Sequence, residues 1–167
     1  MPARDPKDVF LLLLSHVRQG TERGAKFYDE VGDIAKDPEI KEALEARAFV
    51  SKSVLARLDE CFRILNEKPV QLSGEFREML IEDFRKELNE IQGPVARRLY
   101  VLAKLVRHTH IRIGEYVALT AAADLAGHHG VAVLLETCLA DKLAFVERNR
   151  RLIRRIAEER IAERLAA

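Results

Sequence analysis

The feature that most limits how this 167-residue chain can fold is the helical spacing of its apolar residues, sustained over four stretches of about 30 residues each. The first runs from about Lys7 to Lys36 and carries Phe10, Leu13 or Leu14, Val17, Thr21, Gly24, Tyr28, Val31 and Ala35 on one face. Asp37 before Pro38 supplies an N-cap and a first-turn residue, so a second helix starts at once and folds back to about Glu67. Lys68 to Gly74, with Pro69, Ser73 and Gly74, reads as the longest connection, and a shorter helix follows over about Glu75 to Ile91 with Phe76, Leu80, Phe84 and Leu88 on its stripe. Gly93 and Pro94 open a long helix from about Val95 to Leu125, and Gly127 separates it from a last one beginning near Gly130. Each long helix spans about 45 Å. Two hairpins of matched length, joined by a crossover with its own short helix, predict an all-α four-helix bundle, one domain over residues 1–167, with an extended C-terminal helix.

Composition narrows the function classes. A formal net charge of +1 provides no global field for nucleic acid or an acidic membrane. Cys61 and Cys138 share no metal-ligand spacing and sit in helical sequence, which predicts reduced, buried thiols in a cytoplasmic protein. The apolar run from Val9 to Leu14 is far shorter than the 18 or so residues of a membrane span, and the acidic residues Asp5 and Asp8 before it are unlike the start of a signal peptide. No glycine-rich phosphate loop, Ser-His-Asp set or Cys-x-x-Cys pair is present in the sequence.

Two arginines stand out on apolar stripes. The second helix reads Ile40, Leu44, Arg47, Ser51, Val54, Leu58, Phe62 and Leu65, and the fourth reads Tyr100, Ala103, Arg107, His110, Gly114, Val117 and Ala121. A guanidinium taken out of water costs several kcal/mol unless acceptors meet it, so Arg47 and Arg107 predict a polar centre inside the bundle. His108 and His110 point about 200° apart and cannot chelate one ion together; His128 and His129 read as turn residues. Gly20 and Gly24 form a small-residue ridge suited to close helix approach. In the C-terminal segment, Arg148, Arg150, Arg151, Arg154, Arg155, Arg160 and Arg164 alternate with Glu147, Glu158, Glu159 and Glu163. Interleaved acids and the lack of aromatics favour a solvated face with a dimer contact over a nucleic-acid arm.

Asp8-Val9-Phe10 through Leu14-Ser15, Arg107-His108-Thr109-His110-Ile111 and Leu134-Leu135-Glu136-Thr137-Cys138-Leu139, in that order and spacing, resemble the YciF-like family of the ferritin-like superfamily. The resemblance covers nearly the whole chain. It implies a ferritin-like four-helix bundle with an additional crossover helix, often dimeric, in a group linked to bacterial stress responses. Ferritin-like proteins build a two-metal carboxylate site from Glu and Glu-x-x-His pairs in the bundle core. Aligned on the family's motifs, this chain has Thr21 in place of the first-helix Glu, with Glu22 off the stripe. Arg47 and Val50 replace a His and an acid on the second helix, and Arg107 and His110 replace two Glu on the next long one. Asp141 stands for a Glu on the last, where Thr137 and Lys142 replace neighbouring acids.

The resemblance together with these departures predicts a non-catalytic bundle protein with no cofactor, in which Arg47 or Arg107 pairs with Asp141 and His110 supplies a neutral hydrogen bond. Arginines binding a small anion in the former metal cavity are a second reading of the same residues. The competing class is an iron or manganese oxidoreductase or storage protein with a reduced site of His110, Asp141, Glu22 and Glu45. An interaction module recruited through the charged C-terminal helix is a third. A homodimer is expected from the apolar positions left uncovered on the last helix, with no nucleic-acid or membrane partner and an unidentified protein partner left open.

Overall fold

The structure is a computed structural model that describes residues 5–35, 38–72 and 75–166. Five helices follow one another: α1 (Pro6–Ala35), α2 (Pro38–Leu65), α3 (Glu75–Glu90), α4 (Pro94–Leu125) and α5 (His129–Ala166). The expected cap Asp37 and the connection residues Ser73 and Gly74 lie outside the described residues, as do the side chains of Ala35, Phe76 and Leu80.

Local chemistry sets the helix ends. The Asp5 carboxylate accepts the backbone N–H of Asp8 at 2.8 Å and Pro6 fills the first turn of α1. At the end of α2, Asn66 adopts φ 53° while Asn66 N donates to Arg63 O and Glu67 N to Phe62 O. The α4–α5 turn repeats this closure, with Gly127 at φ 76°, Gly127 N donating to Asp124 O at 2.9 Å and His128 N to Ala123 O at 2.8 Å. Glycine suits that left-handed position because it has no Cβ to clash.

The α1·α2 and α4·α5 hairpins pack with α1 against α4 and α2 against α5, so the four long helices enclose one interior. That interior has two apolar clusters. One, near the α4–α5 turn, gathers Phe10, Leu14, Val17, Val54, Leu58, Phe62, Tyr116, Leu119 and Leu135. The other, at the far end, gathers Val31, Ile40, Leu44, Leu102, Leu105 and Ile156, and takes in Phe84 and Leu88 of α3. The crossover is tied down along its length. Ser15 Oγ accepts from Val70 N at 2.9 Å, Gln19 donates to Leu72 O at 3.1 Å, and Arg97 Nη1 donates to Leu88 O and Ile91 O at 2.7 and 2.8 Å.

On α1 the choice between Leu13 and Leu14 resolves to Leu14, fully buried while Leu13 faces out. The α2 stripe is inward at Ile40, Leu44, Arg47, Ser51, Val54, Leu58 and Phe62. The fourth helix differs from the sequence reading. Its inward stripe is Leu102, Leu105, Thr109, Arg112, Tyr116, Leu119 and Ala123, and the stripe through Arg107, His110, Gly114 and Val117 is exposed. The two stripes lie about 200° apart on the helix. The observed one buries three leucines and a tyrosine where the alternative would bury one tyrosine, one valine, a glycine and two alanines, and the larger apolar area faces inward.

Candidate functional site

Between the apolar clusters the inward positions turn polar. Thr21 of α1, Arg47 and Ser51 of α2, Arg112 of α4 and Lys142 of α5 are all buried, and the three basic side chains are only 3%, 4% and 2% exposed. They share the lining of one small cavity of about 10 Å³, between α1, α2, α4 and α5. Taking a charge out of water costs several kcal/mol unless partners replace the lost hydration, so what each cation meets determines what the layer can do.

Arg112 is the best satisfied. Its Nη1 pairs with the Glu115 carboxylate one turn on, and its Nη2 donates to Val17 O at 2.6 Å and to Thr21 Oγ1 at 3.3 Å. Thr21 in turn donates to Val17 O at 2.9 Å, so the small hydroxyl on α1 orients the guanidinium across the bundle. Arg47 is held mainly by aromatic faces, its Cζ 5.0 Å from the Phe145 centroid and 5.6 Å from that of Tyr28. Its Nε and Nη1 are buried without an acceptor. Lys142 Nζ lies 5.4 Å and Arg112 Cζ 5.9 Å from the centroid of the Tyr116 ring. Burial, followed by the charges of Arg47 and Arg112, pushes the Lys142 ammonium down to about 6, against the smaller upward pulls of Cys138 and Asp141. Burial pushes the Tyr116 phenol up, and the Cys61 thiol up to about 12.

Of the residues expected at the centre, Thr21 and Arg47 face it, and Val50 is half-buried against the first apolar cluster. Arg107 and His110 are exposed; His110 Nδ1 lies 2.9 Å from Val106 O of its own helix, while His108 lines the cavity. Glu22 is exposed and pairs with Arg18 at 3.3 Å, and Glu45 is exposed on α2. The expected pairing of Asp141 with a core arginine is not formed. Asp141 sits one helical step from the inward position, where it binds Arg57 at 2.5 Å with both side chains about 30% exposed, and its neighbour Lys142 takes the inward place. An exposed pair of this kind contributes about 0.2–1 kcal/mol. Asp141→Ala is therefore expected to lower stability by no more than about 1 kcal/mol in urea unfolding; a loss of 3 kcal/mol would put Asp141 back at the core.

Arg112 is the residue that sequence reasoning missed, and Lys142, read there only as replacing an acid beside Asp141, is the second. The α5 series Val131, Leu135, Cys138, Lys142, Phe145, Asn149 and Ile156 keeps strict helical spacing and carries the signal for Lys142, but the motif alignment drew attention to Asp141.

The pattern of residues 5–166 matches the family model described as a domain of unknown function, DUF892. The chain belongs to the DUF892 family. Solved structures extend this. The DUF892 chain is similar to the Escherichia coli stress protein YciF, at 20% identity and TM-score 0.87, over 93% of this chain and 99% of that one. It is similar also to YcfI of Rhodopseudomonas palustris, for which a structural role has been proposed, at 20% identity and TM-score 0.84 over 89% and 95% of the two chains. A Xanthomonas campestris protein matches at 16% identity and TM-score 0.68, over 96% and 98%. No curated protein matches the DUF892 chain in sequence. These likenesses show the fold, the ferritin-like helical bundle.

The centre of this DUF892 chain does not fit the metal pair that ferritin-like bundles hold. Among the described residues no three His, Cys, Asp or Glu side chains converge as a ligand set. The inward positions carry the permanent cations Arg47 and Arg112 in their place, and at about 5 Å with an effective dielectric near 20 each would repel a metal ion by about 3 kcal/mol per unit charge. No helix among the described residues is long and apolar enough to cross a membrane.

Proposed function

We propose that this chain is a single-domain, non-catalytic bundle protein of the cytoplasm, acting in a structural or stress-related role, in which a buried cationic layer replaces the di-metal site. The observation that carries the reading is the burial of Arg47, Arg112 and Lys142 in one layer between two apolar clusters. Charges placed there repel divalent metal and leave no ligand set for redox or hydrolytic metal chemistry. The free, buried thiols of Cys61 and Cys138 suit a reducing compartment. Two neighbours of the same fold are described as a stress protein and as a proposed structural protein, in keeping with a role exercised through shape and surface.

The surface itself favours self-association. On α5 the last buried residue among those described is Ile156, beyond which Ile161 and Leu165 are 58% and 84% exposed. A homodimer would cover them.

One preparation tests both parts. Protein purified after growth with iron, manganese and zinc should contain far less than one metal per chain, show no ferrous-iron oxidation in air, and scatter light as a dimer at micromolar concentration. One or two tightly held metals per chain overturn the cationic-layer reading, and a monomer removes the dimer.

A further inference from the structure

We propose that the cavity at the centre of the bundle binds one monatomic anion of the halide class, with chloride the physiological occupant, held between Arg47, Ser51 and Lys142. The inference rests on the reading of the centre as a site kept without metal. Its first support is charge. Among the described residues the layer sets two permanent cations, Arg47 and Arg112, and the Lys142 amine against one carboxylate, Glu115, which is engaged on Arg112 and is itself 38% exposed. Asp141 is drawn outward to Arg57.

The second support is hydrogen bonding. Arg47, only 3% exposed, lines the cavity with Nε and Nη1 both lacking an acceptor. Buried guanidinium donors without acceptors are rare in native interiors, and an anion supplies what they lack. The third is size. A cavity of about 10 Å³ takes roughly one water-sized particle, which excludes phosphate, sulfate and carboxylates. Between water and a halide the lining decides. Guanidinium groups only donate, and the permanent charges of Arg47 and Arg112 favour an anion over a neutral water, which would also have to place its own two protons on Ser51 Oγ or the Lys142 amine. A monatomic anion accepts from every side.

Gly24 provides the test. It borders the same cavity, and the Cβ of an alanine there would meet only Tyr28 Cε2, at 4.0 Å, so the methyl would occupy anion space without a clash. The full chain is unfolded thermally at fixed ionic strength while sodium gluconate, whose anion is too large to enter, is exchanged for sodium chloride or bromide. The midpoint should climb with the logarithm of halide concentration, as for a ligand that binds only the folded state. Gly24→Ala should keep the gluconate midpoint or raise it and lose the halide response. Anomalous diffraction from a bromide crystal should place the ion beside Arg47. Identical midpoints in gluconate and chloride overturn the proposal, as does a halide response undiminished in Gly24→Ala, which would place the ion elsewhere. Metal found by analysis would instead defeat the underlying reading of the centre, so the two failures are separable.

Discussion

Replacing Lys142 by methionine is expected to stabilise the protein by about 3 kcal/mol at pH 7 in chloride-free buffer, within the range found when buried charges give way to apolar side chains of like volume. For a chain of this size that corresponds to a rise in melting temperature of roughly 6–12 °C. The cause is the burial of the ammonium beside Arg47 and Arg112, which lowers the folded-state pKa to about 6 from the ordinary 10.5. The groups facing Lys142 set this balance: Arg47 from α2 and Arg112 from α4 oppose the charge, Cys138 and Asp141 on α5 favour it weakly, and Tyr116 offers it a ring face. Since the folded pKa lies below the unfolded one, the unfolded chain binds more protons between about pH 6 and 10.5, and the Lys142 contribution to stability rises with pH across that window. Lys142→Met should flatten that rise. Urea unfolding of both proteins at pH 6, 7.5 and 9 reads both effects, and an unchanged pH profile would mean that Lys142 is neither buried nor crowded by the arginines.

Tyr116→Ala is expected to act in the opposite direction, at a cost of about 3–5 kcal/mol. Tyr116 is fully buried, is the largest such side chain among the described residues, and belongs to the apolar cluster near the α4–α5 turn. Its ring also faces two cations, with Arg112 Cζ at 5.9 Å and Lys142 Nζ at 5.4 Å, so truncation removes packing and cation–π attraction together. Tyr116→Phe separates the parts. The phenol oxygen is buried without a hydrogen-bond partner, so its removal should change stability by less than about 1 kcal/mol while the ring contacts remain. If Tyr116→Phe proves as costly as Tyr116→Ala in chemical denaturation, the hydroxyl has a partner and the ring is not the principal contributor.

Much of this architecture is legible in the residues. Pro38, Pro94 and Gly127 mark helix ends at or beside their structural places because each acts through local backbone geometry that no distant contact can override. The α1 and α2 stripes are equally plain, since one face of each is far more apolar than the other. The α4 stripe was harder to read, for a physical reason. Val117 and Ile111 are apolar yet 54% and 43% exposed, so apolar residues lie on opposite sides of that helix and periodicity alone does not choose. Following the helical spacing through Arg107 and His110 selected the wrong side, whereas comparing the bulk of the two stripes, with Leu102, Leu105, Tyr116 and Leu119 on one and Tyr100, Ala103, Gly114, Val117 and Ala121 on the other, favours the right one. Asp141 and Lys142 show the finer limit. Adjacent positions differ by about 100° in direction, and only the packing of α5 against α2 and α4 determines which of two neighbouring charges is enclosed.

The positive charge at the heart of the bundle is covalently attached. A metal centre has a dissociation constant and therefore depends on supply: it empties under chelation, accepts the wrong ion when the right one is scarce, and, when iron fills it, reacts with peroxide. Side-chain cations are installed at the ribosome with the rest of the chain and have no such dependence. Arg47 and Arg112 thus keep positive charge in this interior without any supply of metal, whatever the iron status of the cell.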